Sequence, residues 1–264
     1  LADRQQLFHP FDALAKVQKF RRIAVEDDGA RPFRQRSEGM EKLLAIGEHC
    51  RAAGAAPVHL TGNHDPEISP IHSLDLCGGS VFVTHGDSLH PHVAPWSHDA
   101  PALKAEYDRL CALEGVPETW EDVCRVSKRV ALVAANSDKR GRRGWLARGV
   151  MVGKFALEPW RAVNAVRYWA GVAGLSQGIQ ARHRPKARLM VIGHTHRPGI
   201  WKLPGFTLVN TGSYQPLSKP RAVRLTETEA QVFEVVRDGT VFRFGRELLR
   251  MSLVASENGS AAAH

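Results

Sequence analysis

Gly193-His194-Thr195-His196 places two imidazoles two residues apart, and Gly62-Asn63-His64-Asp65 sets an amide, an imidazole and a carboxylate side by side. A third run, Thr84-His85-Gly86-Asp87, adds another imidazole and another carboxylate. Imidazole nitrogen together with side-chain oxygen suits borderline divalent ions such as Mn, Fe, Zn, Ni or Co. Residues two apart on a regular strand share a face. His194 and His196 lie at or past a strand end, however, where a turn can aim each ring separately. His64 followed by Asp65 is a plausible acid or transition-state donor, with the carboxylate orienting the ring. Gly62, Gly86, Gly193 and Gly212 let the backbone turn sharply beside a ligand.

The elements that must position these residues are legible as short apolar runs. Val58–Thr61, Val81–Thr84, Leu189–Ile192 and Thr207–Val209 each end in one of the polar clusters, the last in Asn210-Thr211-Gly212-Ser213. Such runs predict buried strands. In layered α/β folds ligands bind where the carboxyl ends of strands meet, so four tips carrying His, Asn and Asp predict one shared metal centre. Ser37 as N-cap, Met40, Leu43, Leu44, Gly47 and Cys50 at helical spacing, and Gly54 as a stop predict a helix feeding the Val58 run. Alternation over Gln231–Val235 and Val241–Phe244 about Asp238-Gly239 predicts a hairpin at a sheet edge. Between His85 and Gly193 the chain is too long for a loop. Trp120, Val123, Ser127, Val130, Ala131 and Ala134 predict one helix there. A second is expected from Trp145 towards Ala173, interrupted near Pro159.

Taken together, Gly62–Asp65, Thr84–Asp87, Gly193–His196 and Asn210–Ser213 resemble the calcineurin-like metallophosphoesterase superfamily. The resemblance spans residues 58–213 and implies a four-layer α/β/β/α sandwich with a helical insertion at about 95–185. It also implies two divalent metal ions, with Mn preferred and Fe, Zn, Ni or Co as alternatives. By that likeness Asn63, His85 and His194 bind one ion and His196 the other, while His64 faces the scissile phosphate and Asp65 orients it. The implied reaction is hydrolysis of a phosphomonoester, phosphodiester or pyrophosphate by metal-activated water. Gly193-His194-Thr195-His196-Arg197-Pro198 is also similar to a run in enzymes that cleave the pyrophosphate of UDP-diacylglucosamine. Ser88–His92 does not clearly reproduce those enzymes' next motif. The superfamily's two earlier motifs, Asp-x-His and Gly-Asp, have no match. Leu1-Ala2-Asp3 reads as the tail of the second, so the expectation is a chain lacking its first βαβ segment and nearly inactive without it. Asp3, His9 and Asp12 are candidate replacements.

The domain is expected over residues 1–255, with a fraying tail at 256–264 rich in Ser, Ala, Gly and Asn. A hydrophobic content of 43% with 24% charged residues excludes a disordered chain. No stretch approaches a membrane span. The 4 cysteines lack C-x-x-C spacing and read as reduced thiols of a cytoplasmic protein. A net charge of +9 favours phosphate-bearing partners. Lys139-Arg140-Gly141-Arg142-Arg143-Gly144-Trp145 predicts either a solvated basic turn or a surface for peripheral contact with anionic membrane. Nucleic acid is the weaker expectation, since no aromatic platform accompanies the basic run. The rival readings are a phosphoesterase-fold scaffold without turnover and a basic membrane-surface or nucleic-acid binding module. Arg197, His90 and His92 are further candidates to touch substrate.

Overall fold

The computed structural model describes residues 44–63, 68–137, 158–214, 218–239 and 241–254, which form a mixed α/β chain. They fall in two compact units, one holding 44–58 with 222–251 and the other 59–221 with 252–254.

The second unit is organised by a five-stranded sheet. Its strands are β1 (Ser73–Leu76), β2 (Val81–Thr84), β3 (Leu189–Ile192), β4 (Gly199–Leu203) and β5 (Phe206–Asn210), in the spatial order β1-β2-β3-β5-β4. β2, β3 and β5 run parallel at the centre, while β1 and β4 flank them antiparallel. The centre is apolar on both faces, as parallel strands require: Val81, Phe82, Leu189, Met190, Leu208 and Val209 are fully buried. Parallel alignment brings the carboxyl ends of β2, β3 and β5, and the polar clusters that follow them, to one edge.

Among the described residues of this unit the α-helices are α2 (Ala100–Glu114), α3 (Trp120–Ser137) and α4 (Pro159–His183). Trp120, Cys124, Tyr168 and Val172 of α3 and α4 pack on the face made by Phe82, Met190, Ile192 and Leu208. Trp120 meets Phe82 edge-on at 5.3 Å and donates its indole N–H to Ser73 Oγ at 2.9 Å, so its one polar atom is satisfied in the core. Leu103 and Leu110 of α2 pack with Val126, Val130 and Ala131 of α3, and Val93 and Ala94 join that cluster. The face expected on α3 is therefore the buried one. Pro159 opens α4 at its first turn, where a proline gives up only an N–H with no intrahelical partner; the part of the expected helix before it, from Trp145, lies outside the described residues. α4 runs on to His183, beyond the expected end near Ala173.

The first unit contains helical residues 44–52 (α1) and the three-stranded sheet of β6 (Arg221–Leu225), β7 (Glu229–Asp238) and β8 (Val241–Ser252), ordered β6-β7-β8. Gly54 stops α1 with φ +77°, as its lack of Cβ allows. Leu44, expected on the apolar face of α1, is 57% exposed, whereas Cys50 is buried. The expected hairpin is β7–β8, turning at Gly239, and it lies with β8 at the edge of the three-stranded sheet.

One predicted strand is absent. Residues 58–61 have no strand ladder among the described residues; their link to the rest of the chain is Thr61 N–H to the Ile71 carbonyl at 2.8 Å. Apolar β-branched character favours a strand only where a neighbour supplies a ladder. No described helix is long and apolar enough to cross a membrane.

Candidate metal centre

The tips of β2 and β3 are tied together before any side chain acts. Gly193 N–H donates to the His85 carbonyl at 3.0 Å. Gly86 takes φ +104°, and a Cβ there would stand 3.3 Å from Ile192 Cβ and 3.4 Å from His194 Cβ. Only glycine combines that dihedral with that approach.

The loop after β3 is held in an uncommon conformation. His194 and His196 both lie in the left-handed region, at φ +59° and +57°, a region that costs a non-glycine residue free energy and is over-represented at functional sites. Asn210, fully buried at the end of β5, offsets that cost. Its amide donates to the Gly193 carbonyl at 2.8 Å and to Thr195 Oγ1 at 2.7 Å, and its oxygen accepts from Gly212 N–H at 2.9 Å.

His194 is buried, and both of its ring nitrogens face oxygen: Nε2 lies 3.0 Å from the Val93 carbonyl and Nδ1 lies 3.1 Å from Asn63 Oδ1. A carbonyl only accepts, so Nε2 must carry the proton, and in the neutral ring Nδ1 then presents a lone pair. Val93 is itself at φ +57°, a genuine outlier for a β-branched residue. The 3.1 Å between Nδ1 and Oδ1 is also the spacing of neighbouring ligands on one ion, since bonds of ~2.1 Å at a right angle separate them by roughly 3 Å. A ligand histidine whose other nitrogen donates to a backbone carbonyl is the usual supporting arrangement.

The His85 ring centroid is 5.1 Å from that of His194. Its Nδ1 lies 3.2 Å from Asp87 Oδ1, an ion-pair distance whose angle falls short of a hydrogen bond. Burial alone would raise the Asp87 carboxyl, but contacts with His85 and His194 outweigh it and leave the group below its ordinary value. Asp87 therefore stands as a carboxylate behind Nδ1, leaving Nε2 as the donor atom. A Cβ on Gly62 would stand 2.8 Å from His85 Nε2, so this position admits glycine alone without moving the ring.

Aromatic side chains enclose the cluster. Trp96 lies 5.2 Å from His194 and 4.6 Å from Tyr168, whose hydroxyl donates to the Gly86 carbonyl at 3.4 Å and is pushed upward in pKa by burial. His90 and His92 meet edge to face with ring centroids 5.0 Å apart, and burial followed by the neighbouring His92 lowers His90 to about 4. Arg197 lies over the Trp169 ring at 5.1 Å, a cation–π contact with α4.

The structure thus gathers Asn63, His85 and His194. His196 is exposed, and its carbonyl accepts from Ser218 Oγ at 3.3 Å. His64, Asp65, Asp3, His9, Asp12 and the basic run at 139–145 lie outside the described residues. Among the described residues no three His, Cys, Asp or Glu side chains converge as an ion site; the set that converges needs the Asn63 amide as a member. Its donor chemistry fits one borderline divalent ion. Sequence reasoning quoted Asp87 and Asn210 within motifs without giving them roles; a carboxylate two residues after a ligand histidine is the signal for the first.

A mixed sheet with histidine and asparagine at the carboxyl tips of its parallel strands is the class of site that fold and residues define. No family model matches the chain, and no curated protein matches it by sequence. Among solved structures it is similar to Vps29 from Entamoeba histolytica, a protein with the calcineurin-like metallophosphoesterase fold. Against a double mutant the TM-score is 0.22 at 18% identity, over 30% of this chain and 46% of that one. Against the wild type complexed with zinc the TM-score is 0.22 at 18% identity, over 31% and 47%. The chain spans just under half the length of those proteins.

Proposed function

We propose that the chain is a metal-dependent phosphoesterase, holding a divalent ion through Asn63 Oδ1, His194 Nδ1 and His85 Nε2. The observation that supports this reading is the pair of lone-pair donors at 3.1 Å, with the far nitrogen of His194 held by Val93. A bound divalent ion would polarise a phosphoryl oxygen and supply hydroxide near neutral pH. The residues of the chain do the rest. The Val93 carbonyl keeps the proton on Nε2, Asp87 faces Nδ1 of His85, and Trp96 and Tyr168 shield one side of the cluster from water. The substrate class is a phosphomonoester, phosphodiester or pyrophosphate.

The test is calorimetric titration of the chelator-stripped protein with Mn, Co or Zn, paired with hydrolysis of bis(p-nitrophenyl) phosphate. The expected result is ion binding that His194→Ala weakens more than 100-fold, since changes in supporting neighbours alone cost 10–100-fold, with turnover abolished by EDTA. Ion binding without turnover assigns the scaffold reading instead, and absence of binding overturns the site.

A further inference from the structure

The nitrogen that His194 offers is decided by a backbone carbonyl, and that carbonyl belongs to a loop with fastenings of its own. Residues 93–98 connect the β2 side of the site to α2, and three of them are held by the first turns of α4. Asn164 Nδ2 donates to the Pro95 carbonyl at 3.2 Å, and Arg161 Nε donates to the Trp96 carbonyl at 3.1 Å. His98 Nδ1 pairs with Glu158 Oε1 at 2.8 Å, and Glu158 Oε2 also pairs with Arg161 Nη1 at 3.2 Å. The Arg161 side chain is only 18% exposed, so this is not a screened surface contact. At the other end of the loop, Val93 N–H donates to the His90 carbonyl at 2.9 Å, and Val93 holds its left-handed φ of +57° with its side chain buried. A β-branched residue keeps such a dihedral only where its surroundings over-determine it. The α4 contacts supply that constraint from the far side of the loop.

We propose that Glu158, Arg161 and Asn164 act as a positioning latch for the metal centre. By fixing residues 93–98 they hold the Val93 carbonyl on His194 Nε2 and so keep Nδ1 unprotonated and turned to Asn63. Released from α4, Val93 relaxes towards negative φ, its carbonyl leaves Nε2, and the His194 ring populates both tautomers. None of the three residues touches the ion or the substrate. Their effect passes through the loop and through His194. This inference rests on the proposed site only for its consequence, metal affinity; its primary readout is a property of the metal-free protein.

The experiment is long-range 1H–15N spectroscopy of the histidine rings in metal-free protein, with His194 assigned by the signals lost in His194→Gln. The wild type is expected to show one tautomer, protonated at Nε2. Arg161→Ala combined with Asn164→Ala is expected to give a mixture of tautomers and a 10–100-fold weaker Co2+ affinity, the range for losing support behind a ligand. Arg161→Lys with Asn164 intact is expected to restore the single tautomer. Should the double variant fail to fold by near-ultraviolet circular dichroism, Glu158→Gln takes its place, because it loosens the latch without removing a donor to the loop backbone. A folded latch variant that keeps the wild-type tautomer overturns the proposal. Wild-type protein that binds no Co2+ overturns the metal site instead, while the tautomer comparison still decides the latch.

Discussion

The two sheets dispose of their polar side chains in opposite ways. On the three-stranded sheet charges are closed against one another. Arg224 donates to Gln231 Oε1, Gln231 donates to Glu247 Oε2, and Arg250 bridges Glu247 and Glu229. Arg246 pairs with Glu234, and Arg243 with Asp238. At the tips of the five-stranded sheet nitrogen and oxygen donors gather instead: His194 Nδ1 stands 3.1 Å from Asn63 Oδ1, and His85 Nδ1 3.2 Å from Asp87 Oδ1. Opposite charges closed on one another leave little capacity for a ligand, whereas imidazole and oxygen donors brought together suit a shared cation. Location of chemistry follows from which polar groups a fold brings together, and not from how many it carries.

Gly62→Ala should break that contrast most severely. Its Cβ would sit 2.8 Å from the His85 ring, so the imidazole must leave its place. The expected loss in Co2+ affinity is 10–100-fold by calorimetry, with a stability cost of about 1–3 kcal/mol by denaturant titration. Asn210→Ala should act next. It leaves the half-buried Gly212 N–H without its side-chain acceptor and removes one of two donors on the Gly193 carbonyl, which costs about 1 kcal/mol, and it frees the loop bearing His194 for roughly tenfold weaker metal binding. Arg250→Ala on the other sheet should do least. Its pairs are exposed and salt-screened, so thermal melting and Co2+ titration should both match the wild type. A large loss of metal affinity from Arg250→Ala would erase the distinction between the sheets.

How far the sequence foretold this depends on which atoms do the work. β2 and β3 have the bounds their apolar runs imply, β5 adds one residue at each end of its run, and β7–β8 turn where Asp238-Gly239 sits. In β2 and β3 the apolar run is also the buried stretch, whereas burial along β7 and β8 does not follow their alternation. Residues 58–61 carry the same pattern without a ladder partner among the described residues, and a pattern cannot report whether a neighbour exists. β4 and β6 went unread because Gly199–Leu203 and Arg221–Leu225 do not alternate strictly, and β1 because its run of 4 residues is too short to stand out. The Pro204-Gly205 step before β5, with Gly205 at φ +71°, was an available turn signal for the β4–β5 hairpin. The ligand types at Asn63, His85 and His194 were legible because metal chemistry needs particular side chains. Val93 was not, because it contributes its carbonyl, which every residue possesses, and its strained dihedral has no signature in an apolar residue.

The parallel pairing of β2 with β3 has a kinetic consequence. Val81 aligns with Leu189, more than a hundred residues further along the chain, so the ladder between them forms only after a very long loop has closed. Contacts of that span slow folding. The packing of α2 on α3 is local and can precede it. His194 is as far along the chain from both Asn63 and His85, so the metal-ligand cluster is among the last features to assemble. Recovery of metal binding during refolding should accordingly lag behind the recovery of helix.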